Sequence, residues 1–345
     1  MRLRLRVGVG VALGLGACSD YDLIKSAGDD VFYQNPAGKV DVLLVVDNSC
    51  SMEPYQERLS TNFDAFLTYF VEGNVDYQIG VVTTAVTEPI VDDTRGCTQE
   101  VIDSIPSGGR LVGGTYITAG NPDGASLFAD LVSVGTCGAS YEMGLESAYL
   151  ALTPPLVGGA NAGFLRDDAY LSVIFVSDEQ DSSPLATNTY INAFREVKGQ
   201  RNRDIFNASA LVVTNEDECT ASQAAASDAG TRYVDVATQT GGIIGNLCAE
   251  NFGAIVTELG LASSRLSDAF PLSQLPDAAS ITVGVDDALV GCNAGAWWYE
   301  LRGEGEDVQG TIVFDRQLLP PPGSKISVTY DLGNGDPSTF CTGGE

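Results

Sequence analysis

The run Val40-Asp41-Val42-Leu43-Leu44-Val45-Val46, followed at once by Asp47-Asn48-Ser49-Cys50-Ser51, governs the reading of the rest of the chain. A nearly unbroken apolar run of this kind suits a central parallel strand covered on both faces. Asp, Asn and Ser are turn formers, so the chain leaves the sheet at Asp47. In open α/β sheets, ligands sit outside the carboxyl ends of the strands, where this loop emerges. Alternate residues of a tight loop face one centre. Asp47, Ser49 and Ser51 therefore offer one carboxylate and two hydroxyls, oxygen donors suited to a hard cation.

Downstream, strand and helix patterns alternate. Phe63, Phe66, Leu67, Phe70 and Val71 recur at helical spacing and read as core packing. Tyr77-Gln78-Ile79-Gly80-Val81-Val82 is a second strand, and residues 110–117 make a short third. A helix over 143–152 precedes the buried strand Leu171-Ser172-Val173-Ile174-Phe175-Val176. A helix over 191–197 follows, then strands at 208–213 and Tyr233-Val234-Asp235-Val236, and a closing helix over 251–262. This order predicts an α/β fold with a doubly wound, mostly parallel, Rossmann-like sheet. Residues 89–109 are rich in turn formers and read as a surface excursion. Near Phe270 the pattern changes. Ile281, Val283 and Val285 alternate, as do Ile326, Val328 and Tyr330, with Trp297-Trp298-Tyr299 and Ile312-Val313-Phe314 between them. Short strands without intervening helices predict a small C-terminal all-β, sandwich-like module.

The pentapeptide Asp47-Asn48-Ser49-Cys50-Ser51 with Met52 and its preceding strand resembles the first motif of von Willebrand factor A (vWA) domains, the DxSxS of the metal-ion-dependent adhesion site. Gly135-Thr136, ahead of Glu142-Met143-Gly144-Leu145-Glu146, resembles the second motif, and Val173-Ile174-Phe175-Val176-Ser177-Asp178 the third. The resemblance covers about residues 39–265. It implies a divalent cation, Mg2+ first with Mn2+ or Ca2+ as alternatives, held by hydroxyls of Ser49, Ser51 and Thr136. Asp47 and Asp178 then act directly or through water. Ser140 is the alternative hydroxyl, because the segment between Thr136 and the helix is long for the family. A second departure is Glu179-Gln180-Asp181 in place of the glycine common after the third aspartate; it adds acidic oxygens that either support the cation or are solvated. The segments Ser177-Asp178-Glu179 and Gly135-Thr136-Cys137-Gly138 also resemble exported vWA lipoproteins of myxobacteria and relatives.

The N-terminus carries Arg2, Arg4 and Arg6, then an apolar run over 7–17 too short to span a bilayer, the pattern of a signal peptide. Leu15-Gly16-Ala17-Cys18 resembles the bacterial lipobox, which implies lipidation at Cys18 and a membrane anchor; Ser19 after it favours the outer membrane. The predicted segments are a signal peptide at 1–17, a tether at 18–38, the vWA-like domain at 39–267 and the β module at 268–345. In an exported chain the remaining cysteines are most simply disulfides, and neighbourhood along the fold suggests Cys97 with Cys137, Cys219 with Cys248, and Cys292 with Cys341. Cys50 is left over. It is expected to be a small buried side chain turned away from Ser49 and Ser51, with a redox-sensitive thiol as the other reading.

With 46 acidic and 18 basic residues the net charge is -28, which opposes nucleic acid. There is no histidine, so no catalysis or metal ligation can rest on one. The resemblance then implies a non-enzymatic lipoprotein of the bacterial cell envelope that binds a carboxylate-bearing protein partner through its cation. The alternatives are an assembly scaffold without exchangeable ligand and a metallohydrolase with Glu179 or Asp181 as base.

Overall fold

Leu43 to Val46 expose almost nothing because both faces of their strand are covered. In the computed structural model the described residues are 27–34, 38–87, 91–139, 141–199, 205–264, 266–292, 295–303, 308–315, 318–321 and 323–340. The chain enters through β1 (Ala27–Tyr33) and continues as β2 (Lys39–Val46), the strand quoted above. Around β2 a six-stranded sheet assembles from β3 (Asp76–Thr83), β4 (Ile117–Thr118), β5 (Tyr170–Ser177), β6 (Phe206–Val212) and β7 (Ile244–Asn246). Its order is β4-β3-β2-β5-β6-β7, parallel except for the β3–β4 edge pair.

Side-chain alternation sends Val40, Val42, Leu44 and Val46 to one face and Leu43 and Val45 to the other. The first face packs against Phe63, Phe66 and Phe70 of the helix Phe63–Glu72 and against Phe252, Val256 and Leu259 of the helix Phe252–Ser264. The second packs against the helices Gly144–Leu152, Thr187–Val197 and Thr231–Thr240. Helices on both faces of a mixed, mostly parallel sheet thus give a mixed α/β architecture.

Three expectations for the α/β part change. Tyr233-Val234-Asp235-Val236 is no strand but part of the helix Thr231–Thr240, since Tyr233, Val236 and Ala237 sit three and four residues apart and pack on the sheet together. The edge strand of that side is Ile244–Asn246 instead. The segment 110–117 contributes only Ile117–Thr118, because Gly113 and Gly114 turn the chain with φ of 64° and 59°. Val71 leaves the apolar stripe and is 63% exposed.

The second layer system is all antiparallel β. It comprises β8 (Ala269–Pro271), β9 (Thr282–Val285), β10 (Ala288–Val290), β11 (Trp297–Arg302), β12 (Gln309–Phe314) and β13 (Lys325–Asp331). Sheets β1-β13-β9-β10 and β11-β12-β8 enclose Phe270, Trp297, Ile312, Phe314, Ile326 and Val328. The Asp286-Asp287 turn between β9 and β10 has φ of 47° and 66°, the left-handed pair that tight hairpins require. Residues 27–33, expected in the tether, are therefore the first strand of this module, paired with β13 over their whole length. The module meets the α/β layer through Gln34, whose amide donates to the Ser267 carbonyl at 2.9 Å and accepts the Ser267 N–H at 2.8 Å. Leu319 adds an apolar contact to Tyr69, Leu261 and Leu266.

Asp41 interrupts β2 yet is wholly buried. Its carboxylate accepts the Arg166 backbone N–H and the Arg166 Nε–H, each at 2.7 Å, and Arg166 reaches on to Asp76 at 2.8 Å. Removing Asp41 leaves the Arg166 backbone N–H and Nε–H without their acceptor, while Asp76 still pairs the guanidinium. Asp41→Ala is expected to lose about 1–3 kcal/mol of stability, read as a lower urea midpoint. An unchanged midpoint would show that the pair is dispensable.

Candidate metal centre

The backbone N–H of Asp47 donates to the Val176 carbonyl at 2.9 Å, so the β2–β5 ladder runs one residue into the loop and fixes where Asp47 points. Its carboxylate is fully buried. Oδ1 accepts the Ser49 N–H at 2.7 Å and Oδ2 accepts the Ser177 hydroxyl at 2.6 Å. The Ser49 and Ser51 hydroxyls lie 3.2 Å apart, and the Ser51 hydroxyl faces Asp178 and partly offsets the burial that raises it. Asp178, just past the end of β5, is 1% exposed, and its Oδ1 has no hydrogen-bond partner. Asp47, Ser49 and Ser51 are thus linked through hydrogen bonds, with Asp178 beside Ser51.

The fifth predicted ligand arrives on a neighbouring loop. Gln56 Nε2 donates to the carbonyls of Asp47 and Gly135 at 3.0 and 2.9 Å, clamping the first and second loops together. The Gly138 N–H donates to the Asn48 carbonyl at 2.7 Å, and a Cβ at Gly138 would stand 2.6 Å from that oxygen. Only glycine permits this approach. Thr136 is half-buried and lines a cavity of about 630 Å³ with Ser49, Ser51, Glu142 and Glu179. Ser140 lies outside the described residues.

The electrostatics are those of crowded acids. Burial pushes Asp47 up, and burial followed by the Asp47 charge raises Asp178 to about 7. The same two causes raise Glu142 to about 9 and raise Glu179. Arg95 reaches the cavity wall, but its Nε pairs with Asp92 at 2.7 Å. Carboxylates and hydroxyls are hard donors that fit Mg2+, Mn2+ or Ca2+. The partnerless Asp178 Oδ1 is a lone pair of the kind a cation would take up. Among the described residues no three His, Cys, Asp or Glu side chains are arranged to hold a metal by themselves, so a cation here depends on the serine hydroxyls as well.

Other assignments move. Asp181, expected as a supporting acid or a base, is buried as a cap: it accepts the Leu145 N–H at 3.1 Å and the Ser183 hydroxyl at 2.7 Å, with Arg232 at 3.1 Å. Those bonds hold the first turn of the helix Gly144–Leu152 and leave it no role at the cavity. Cys50, expected buried, is exposed and lines the cavity; Arg95 Nη1 donates to its Sγ at 3.0 Å. Strand alternation fails there because Cys50–Met52 form a 3-10 turn. Glu142 was missed as a site residue. It stands just before the helix Gly144–Leu152, where a lone glutamate carries no spacing signal.

The disulfides Cys97–Cys137 and Cys219–Cys248 form as expected. The first ties the excursion at 89–109 to the loop carrying Thr136, and that excursion holds the helix Gln99–Ser104. Cys292 is disulfide-bonded, while Cys341, like the lipobox Cys18, lies outside the described residues. Among the described residues no helix is long and apolar enough to cross a membrane.

No family model and no curated protein matches the chain. Among solved structures, the pilus adhesin SpaC of Lactobacillus rhamnosus GG is similar at 12% identity and TM-score 0.45, over 88% of this chain and 41% of its own. Proximal thread matrix protein 1 of the mussel byssus is similar at 10% identity and TM-score 0.41, over 70% of this chain and 51% of its own. The pilus adhesin RrgA of Streptococcus pneumoniae is similar at 9% identity and TM-score 0.36, over 91% and 59%. This chain thus spans less than two thirds of those chains, and likenesses this low define neither family nor function.

Because Glu142 and Asp178 hold their protons to about 9 and about 7 in the fold, the unfolded chain sheds protons first as pH rises. Their contribution therefore falls between the ordinary carboxylate range and about pH 9. In chelator the melting temperature is expected to decline across that window, and millimolar Ca2+ or Mg2+ to flatten the decline. Parallel profiles with and without cation would refute the electrostatic picture.

Proposed function

We propose that this chain is a lipid-anchored protein of the bacterial cell envelope whose α/β part is a vWA-type module. It binds a divalent cation through Asp47, Ser49, Ser51 and Asp178, with Thr136 on the cavity wall, and through that cation an acidic side chain of a protein partner. The observation that carries this reading is the meeting of buried Asp47 and Asp178 with half-buried Ser49 and Ser51 at the carboxyl ends of β2 and β5, with Asp47 bonded to the Ser49 N–H and one Asp178 oxygen left without a partner. A bound cation would neutralise the crowded carboxyls and present an open coordination position to the partner. Mg2+ is the first candidate, with Mn2+ and Ca2+ as alternatives.

This chain's own residues do the positioning. Ser177 and the Ser49 N–H orient Asp47, Gln56 and Gly138 hold the second loop against the first, and the Cys97–Cys137 wall shapes the approach of a partner. Binding rather than catalysis is favoured by the missing histidines and by the engagement of Asp181 with Arg232. Anchorage rests on the lipobox at Cys18.

Calorimetric titration of the protein with Mg2+, Mn2+ and Ca2+ tests the site. One cation should bind, and Asp47→Ala should weaken it at least about 10-fold. Partners recovered from source-cell membranes should be lost on chelation. Absence of cation binding, or partners retained in chelator, would overturn the proposal and favour an assembly scaffold.

A further inference from the structure

We infer that Cys50 and the Cys97–Cys137 disulfide form an exchange pair, so that the cavity wall has two covalent states. The inference goes beyond the function proposed above and needs no cation. Cys50, Cys97 and Cys137 all line the same cavity. Cys50 is a free thiol and exposed, while its neighbours Ser49 and Ser51 are half-buried. Its sulfur is held between the segments that carry the two bonded cysteines. Sγ donates to the Thr136 carbonyl at 3.4 Å, one residue before Cys137, and accepts from Arg95 Nη1 at 3.0 Å, two residues before Cys97. An exposed sulfur with a guanidinium donor against it is placed as reactive cysteines are.

The backbone keeps both halves of the disulfide beside that thiol. The Cys97 N–H donates to the Asp92 carbonyl and the Asp92 N–H to the Cys97 carbonyl, each at 3.0 Å, which closes the loop that presents Arg95. Gln56 and Gly138 clamp the loop of Thr136 to the loop of Cys50. The exchange is internal and consumes no oxidant or reductant. Cys50 Sγ bonds to Cys137 Sγ, the Cys97–Cys137 bond breaks, and Cys97 Sγ leaves with the electron pair and takes up the proton that Cys50 gives up. Cys137 is the sulfur attacked because Cys50 already touches the residue beside it. In the first state the bond ties the excursion at 89–109 to the second loop. In the second state it ties the second loop to the first, and the wall of Val91, Asp92 and Arg95 loses its covalent tie. A partner entering the cavity meets a fastened wall in one state and a released wall in the other.

Mass-spectrometric mapping of the whole protein reads the two states. Protein held at neutral pH without added thiol or oxidant is acid-quenched, alkylated with N-ethylmaleimide in denaturant and digested. The parent should give label on Cys50 with a Cys97–Cys137 peptide pair, and a second population with label on Cys97 and a Cys50–Cys137 pair. That second population should vanish in Cys50→Ser. Cys97→Ser, treated with glutathione disulfide, should lose both remaining cavity thiols to a Cys50–Cys137 bond. Label confined to Cys50 in the parent, label on Cys137 in its place, or two cavity thiols persisting in treated Cys97→Ser would overturn the exchange. If Cys97→Ser does not fold, the map of the parent decides alone.

Discussion

Burial of β2 on both faces is the constraint on which the rest of the molecule depends. A strand sealed between two helical layers has room for a polar group only if that group brings its own partners. Asp41 does so by facing Arg166, and apolar residues fill the strand from Val42 to Val46. Polar chemistry then collects where the parallel strands end together. The loops after β2, β3 and β5 deliver Asp47, Thr84 and Asp178 to one pole of the sheet.

The chain buries acids in two different ways, and the contrast organises its electrostatics. Asp41 and Asp181 are matched by arginines and serve as rivets, one under the sheet and one at a helix start. Asp47, Glu142 and Asp178 are matched by hydroxyls and a backbone N–H and by no cationic side chain. With 18 basic residues against 46 acidic ones, guanidinium partners are scarce, and they are spent on architecture. Burial without a cationic partner is what raises the carboxyls of this cluster.

Legibility followed physical locality. β2 and β5 were readable because residues buried on two faces make unbroken apolar runs, and Asp47, Ser49, Ser51 and Asp178 because they follow those runs directly. The run Tyr233 to Val236 misled because a helix lying on a sheet also shows short apolar stretches. β1 was invisible: of its side chains Phe32 joins the module's core, while Val31 and Tyr33 face outward at 46% and 65% exposure, so backbone pairing carries it. Glu142 escaped because its place at the cavity comes from Thr84, far away in sequence. Cys50 does not follow strand alternation because β2 ends at Val46 and Cys50–Met52 form a 3-10 turn.

The pairing of β1 with β13 has a consequence for the order of folding. Asp30 accepts the Tyr330 hydroxyl at 2.7 Å across a separation of 300 residues. During synthesis the first strand of the β module emerges long before its partner exists. Closing so long a loop in an unfolded chain is slow, since non-local contacts repay their entropy only at the end. The α/β layer shortens the search. Once it folds, Gln34 and Ser267 are held side by side, and the open loop between β1 and β13 shrinks to the few dozen residues outside that bond. In the folded chain the middle thus holds the two ends of the β module together.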